Sequence, residues 1–173
     1  MRYFLIFAVI LVVTPAAARA QGIAVEGGGT WLEGRDDMAL SWGLGLYLPT
    51  GDRTIAGIHY VQWTEGDGTD RLERCGEDGC HGAGLHLLYR VAGSTSYGWF
   101  LGGGIDLYER VVPAADADEH DSEYLGAWSL ATLVARGISD NLSVYARGVI
   151  SSRTPEIDLR SAYVHVGLVV RPF

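Results

Sequence analysis

Met38-Ala39-Leu40-Ser41-Trp42-Gly43-Leu44-Gly45-Leu46-Tyr47-Leu48 is the stretch that decides the fold. Every second residue from Met38 to Leu48 is large and apolar, and the residues between are small or polar, Tyr47 apart. A helix would scatter those apolar positions around its circumference; a strand puts them all on one face. The same period of two recurs outward from this segment. Ala83, Leu85, Leu87, Tyr89 and Val91 form one face against Gly84, His86, Leu88 and Arg90. Tyr97, Trp99, Leu101, Gly103, Ile105 and Leu107 oppose Gly98, Phe100, Gly102, Gly104, Asp106 and Tyr108. Residues 142–150 and 162–171 repeat the pattern. Residues 22–32, 53–64 and 123–135 alternate less cleanly, and in 53–64 the more apolar face carries His59.

These segments make eight strands of roughly ten residues, the length of a tilted membrane-spanning strand. The connections differ on the two sides. Pro49–Asp52, Ala92–Ser96 and Gly137–Asn141 are short turns; 65–81, 111–122 and 151–158 are longer and polar, while 33–37 is a short link on that same side. This is the arrangement of an eight-stranded antiparallel transmembrane up-and-down β-barrel, an all-β fold with both termini beside the short turns. One face of each clear strand is almost free of charge. The other mixes small residues and Tyr with isolated charges, as a narrow filled interior requires. A soluble barrel would instead carry charge over its outside. Trp31, Trp63, Tyr89, Tyr97 and Trp99 fall near strand ends, where aromatic girdles sit.

Composition fits this reading. The chain has 173 residues, 48 % of them hydrophobic, no lysine, and a net charge of -8. Such a chain is too apolar to be disordered. It lacks the basic stripe of a nucleic-acid binder, so no nucleic-acid partner is expected. Met1-Arg2, an apolar run from Tyr3 to Val13, and Ala18-Arg19-Ala20 read as a signal peptide over residues 1–20, with the barrel domain over 21–173. No stretch after Gln21 is long and apolar enough for a spanning helix.

The chain ends in Val169-Val170-Arg171-Pro172-Phe173. With the leader and the eight alternating segments, this tail resembles the small outer-membrane β-barrel proteins of the OmpA/OmpX type. The resemblance implies a bacterial outer-membrane location, with outer-membrane lipid and lipopolysaccharide as surroundings. It also implies Phe173 as the signal read by the barrel assembly machinery. The apolar phase of the last strand, Val164, Val166, Leu168 and Val170, is set one residue off from Phe173 by Pro172.

Four groups of residues invite chemistry. Cys75 and Cys80 close a short Gly-containing turn, and an exported chain meets an oxidising compartment, so a loop disulfide is expected. His81 could join them on a metal, but the spacing matches no standard zinc site. Asp116, Asp118, Glu119 and Asp121, with His120 and Glu123, form an acidic cluster in the third long loop. They are weak candidates for a divalent cation, which could bridge to lipopolysaccharide phosphates; the cluster lacks the EF-hand pattern, and a solvated loop is the simpler reading. Glu26, Arg90, Asp106 and Arg147 fall on interior faces, and buried charges must pair, so an interior polar network that plugs the barrel is expected. A small ion pathway is the alternative.

The fourth group is the five histidines, tested against the lipid A deacylases, barrels that use a neighbouring His and Ser on the lipid face. His59, His81, His86, His120 and His165 include no His-x-Ser pair. His86 and His165 face inward, and His59 falls on the lipid side in one of its strand's two phases. Gly27-Gly28-Gly29 and Gly102-Gly103-Gly104 have no strand-to-helix context and are not phosphate loops. No cofactor is implied. The expected role is non-enzymatic, a structural or surface-interaction barrel with acidic extracellular loops. Its rivals are an accessory subunit of an envelope assembly, with Gly27, Gly29, Gly57 and Gly103 on the outer face admitting a protein partner; then a small channel; then a lipid-modifying enzyme.

Overall fold

The computed structural model describes residues 22–32, 38–63, 80–94, 97–113, 120–153 and 158–171. Eight strands follow one another: β1 (Gly22–Leu32), β2 (Ala39–Pro49), β3 (Thr54–Trp63), β4 (Cys80–Gly93), β5 (Tyr97–Pro113), β6 (His120–Ser139), β7 (Leu142–Arg153) and β8 (Asp158–Val170). Each pairs antiparallel with the next, and β1 pairs with β8 from Ile23↔Val170 to Leu32↔Ser161, so the sheet closes into a barrel. Closure leaves the barrel wall without an unpaired edge.

The alternation of β2 becomes its burial. Ala39, Ser41, Gly43, Gly45 and Tyr47 point inward and are buried, while Met38, Leu40 and Trp42 are exposed. The outer faces of the other strands carry Ile23 and Val25, Leu85 and Leu87, Leu101 and Ile105, Leu130 and Val134, Val164 and Val166, all exposed. A water-soluble surface does not present such a continuous apolar belt. The inner faces carry the polar groups.

The interior is assembled by setting large against small. Glu26 sits between Gly43 on β2 and Gly167 on β8. His59 sits between Gly45 and Gly84, and His86 between Gly57 and Gly104. Asp106 sits between Gly84 and Ala127. A barrel of eight strands has room for side chains in its interior only on these terms.

This packing settles the phase of β3 and corrects two expectations. His59 is 2 % exposed and faces the interior, as do Gly57 and Trp63. None of the three faces outward, so Trp63 belongs to no girdle and Gly57 to no outer docking face. The outward residues of β3 are Thr54, Ala56, Ile58, Tyr60 and Gln62. The more apolar phase of β3 turns inward because the glycines of β2 and β4 leave their space inside.

Strand bounds also shift. β5 reaches Pro113 and β6 starts at His120, so Asp121 and Glu123 stand in a strand rather than in a loop. Cys80 and His81 open β4 in the same way. β6 runs past Gly137 to Ser139 through a bulge between Gly137 and Ser139. Residues 1–20, Cys75, the side chains of Cys80 and Asp121, Asp116, Asp118, Glu119 and Phe173 lie outside the described residues.

Candidate functional site: the filled barrel interior

Two charged centres occupy the interior. In the first, the carboxylate of Glu26, 3 % exposed, pairs with the guanidinium of Arg147 across from β7. Tyr145 donates its hydroxyl to Glu26 Oε2 at 2.5 Å. His165 Nδ1 stands 3.1 Å from Glu26 Oε1, and its Nε2 stands 2.6 Å from Ser41 Oγ. Thr30 donates to that same hydroxyl oxygen at 2.9 Å. The Arg147 guanidinium also lies 5.0 Å from the centre of the Tyr163 ring, a cation–π distance.

The second centre is Asp106 on β5. His86 Nε2 is 3.1 Å from Asp106 Oδ1 and 2.9 Å from Ser129 Oγ. Ser151 donates to Asp106 Oδ2 at 2.9 Å, and the Tyr108 hydroxyl donates to the same oxygen at 3.3 Å. Tyr108 in turn accepts from Ser161 at 3.1 Å. His59 joins the two centres by ring packing: its ring centre is 5.1 Å from His86 and 5.2 Å from Tyr47, whose ring is in turn 5.8 Å from Tyr145. Neither of its ring nitrogens has a hydrogen-bond partner among the described residues.

Of the four charged residues expected in one network, the structure brings Glu26 and Arg147 into contact and gives Asp106 a centre of its own. Arg90 is placed elsewhere. It lies at the short-turn rim, where its guanidinium donates to the carbonyl of Asp52 at 3.2 Å. Position decides this: Arg90 is close to the last residue of β4 and reaches water, so it has no need of a buried partner. The histidines that take its place, His59, His86 and His165, are each 2 % exposed or less.

The order Glu26, His165, Ser41 is that of acid, base and hydroxyl. Sequence spacing hides it, because Ser41 and His165 are 124 residues apart and meet only across β1. The arrangement is enclosed, with Ser41 only 7 % exposed and its oxygen already engaged by Thr30. A void of about 10 Å³ remains among Thr30, His59, Trp63, Asp106, Tyr108 and Tyr163. That is the room of about one water molecule. At its described levels the barrel is filled rather than hollow.

No family model and no curated protein matches the sequence. Solved structures do match the fold. The N-terminal β-barrel domain of Pseudomonas aeruginosa OprF aligns over 86 % of this chain and 96 % of its own, with a TM-score of 0.59 at 9 % identity. Neisserial surface protein A aligns over 88 % and 96 %, with a TM-score of 0.62 at 11 % identity. The chain has the fold of the small eight-stranded outer-membrane barrels. Ail, the attachment invasion locus protein of Yersinia pestis, aligns over 87 % and 96 %, with a TM-score of 0.54 at 9 % identity. At these identities the side chains of the interior are this chain's own.

Proposed function

We propose that this chain is a non-enzymatic outer-membrane barrel that presents a β-ribbon to partners at the cell surface, its first twenty residues serving as the export signal. The β5–β6 hairpin carries this reading. The last pair between β4 and β5 is Gly82↔Tyr108, and the last between β6 and β7 is Trp128↔Ser152. β5 and β6 stay paired beyond both, from Glu109↔Tyr124 to Pro113↔His120. Five further pairs project the ribbon by roughly 15 Å. No described strand pairs with its outer edges. A strand edge that the described strands leave unpaired is a platform for adding a partner's strand. The short turns lie at the other end, which by the rule of short periplasmic turns puts the ribbon outside the cell.

Three measurements test this. Protease added to intact cells is expected to cut between Glu109 and Tyr124; cleavage only after the membrane is breached overturns the orientation. Extraction in mild detergent, followed by native sizing and mass spectrometry, is expected to give the barrel alone. Stoichiometric co-migration with other envelope proteins would make it a subunit of that assembly instead. Membrane embedding itself is read by Leu130→Arg on the outer face of β6, where Leu130 is 65 % exposed. Refolded in lipid vesicles, this variant is expected to lose about 2–4 kcal/mol, the cost of Arg near the bilayer midplane. An unchanged urea midpoint would mean that this face meets water.

A second reading has one observation behind it, the Glu26–His165–Ser41 order. If Ser41 is a nucleophile, the intact barrel reacts with a fluorophosphonate at Ser41, and Ser41→Ala abolishes the label. The enclosure of Ser41 favours no labelling.

A further inference from the structure

We propose that the short-turn rim from β3 to β6 is a phosphate-binding collar for anionic phospholipid in the leaflet on that side. The proposal rests on the membrane-spanning reading above and adds the lipid class and the residues. The described short-turn rim carries Arg53, Arg90, Arg136 and Arg171 against Asp52 and Asp140. The opposite connections are acidic: residues 65–81 alone hold Glu65, Asp67, Asp70, Glu73, Glu77 and Asp78 against Arg71 and Arg74. The molecule is therefore polarised along its axis, with its cations at the turns.

Two of the arginines belong to the outer surface. Arg53 donates from Nη1 to the hydroxyl of Tyr89 at 3.4 Å, and Tyr89 is 48 % exposed on the outside of β4. Arg136 is exposed on β6 and is the cross-strand partner of Tyr97, itself 50 % exposed on the outside of β5. Between them lies Trp99, whose indole N–H is taken by Thr132 at 3.0 Å. Tyrosine and tryptophan rings fix the depth of the interface. An arginine beside them keeps its stem along apolar surface and its guanidinium at the headgroups. Arg53, one residue before β3, and Arg136 on β6 are three strand spacings apart, about 14 Å, so they reach separate phosphates. A guanidinium meets a phosphate through paired N–H donors, which suits arginine in a chain that has no lysine. Arg90 is committed to the Asp52 carbonyl and is not part of the collar.

The test uses the full barrel refolded into vesicles of phosphatidylcholine, or of an equal mixture with phosphatidylglycerol. Insertion is read by circular dichroism and by heat-dependent gel mobility. Retained lipid is then identified by native mass spectrometry from the mixed vesicles. The wild type is expected to retain phosphatidylglycerol over phosphatidylcholine. Arg53→Gln and Arg136→Gln are each expected to lower that preference about fivefold, and the double variant about 25-fold, from roughly 1 kcal/mol per surface arginine. Arg171→Gln, one residue past Val170, whose cross-strand neighbours Ile23 and Leu142 supply no interface ring, is expected to leave it unchanged. Normal insertion with equal retention by the double variant overturns the collar alone. An effect of Arg171→Gln as large as the others also overturns it, since rim charge in general would then suffice. Failure of the wild type to insert into either vesicle overturns the membrane reading and the collar with it.

Discussion

Arg147→Met is expected to destabilise the refolded barrel by about 3–5 kcal/mol, the cost of stripping one partner from a buried ion pair. Arg147 is 1 % exposed and Glu26 3 %, so the carboxylate left behind cannot turn to water. The Tyr145 hydroxyl at 2.5 Å remains to it, but a neutral donor does not balance a buried charge. Met keeps much of the apolar stem of Arg147, so lost packing is a small part of the effect. The double variant Glu26→Leu, Arg147→Met removes both charges and is expected to recover most of the loss. Urea unfolding in vesicles of the wild type, Glu26→Leu, Arg147→Met and the double variant completes the cycle, which gives the coupling. A single-variant loss below about 1 kcal/mol would mean that the other groups around Glu26 carry its charge without Arg147. These are the Tyr145 hydroxyl at 2.5 Å and His165, whose Nδ1 is 3.1 Å away.

The wall of the barrel was legible in the sequence, since a period of two maps directly onto two faces. β2, β4, β5, β7 and β8 alternate in the structure as their residues do in the chain. β3 was legible only in part. Its apolar face could not be assigned from β3 alone, because the interior of this barrel is itself partly apolar, with Val61, Trp63, Leu88 and Leu133 buried. The information lay on the neighbours: Gly45 and Gly84 flank His59 in register, and registers are not visible one strand at a time. The same holds for the interior centres. Glu26 and Arg147 could be placed inside from their own strands. Their meeting, and the approach of His165 to Ser41, depend on which strand closes the barrel against which. Arg90 misled because its phase points inward while its height along β4 puts it at the rim, and alternation carries phase without height.

Gly104→Ala, one methyl group, is expected to cost above about 3 kcal/mol or to prevent folding. Overpacking a filled interior costs about 1–3 kcal/mol where side chains can give way. Here the obstacle is main chain. A Cβ on Gly104 would collide with the carbonyl oxygen of Leu85 and stand 2.8 Å from the His86 Cα, both on β4. Neither can move without parting β4 from β5 at the level where His86 meets Asp106. The Gly102-Gly103-Gly104 run thus serves close approach of two backbones. Gly102 is held in the same way by the Leu87 carbonyl. Gly126→Ala is the matched control, since its Cβ would face outward and meet only the Leu107 side chain at 3.9 Å. It is expected to change stability by less than about 0.5 kcal/mol. Refolding yield and urea midpoint, measured side by side, separate the two cases. Equal behaviour would show that glycine serves both strands through backbone flexibility rather than through contact, and the large-against-small packing of the interior would fail with it.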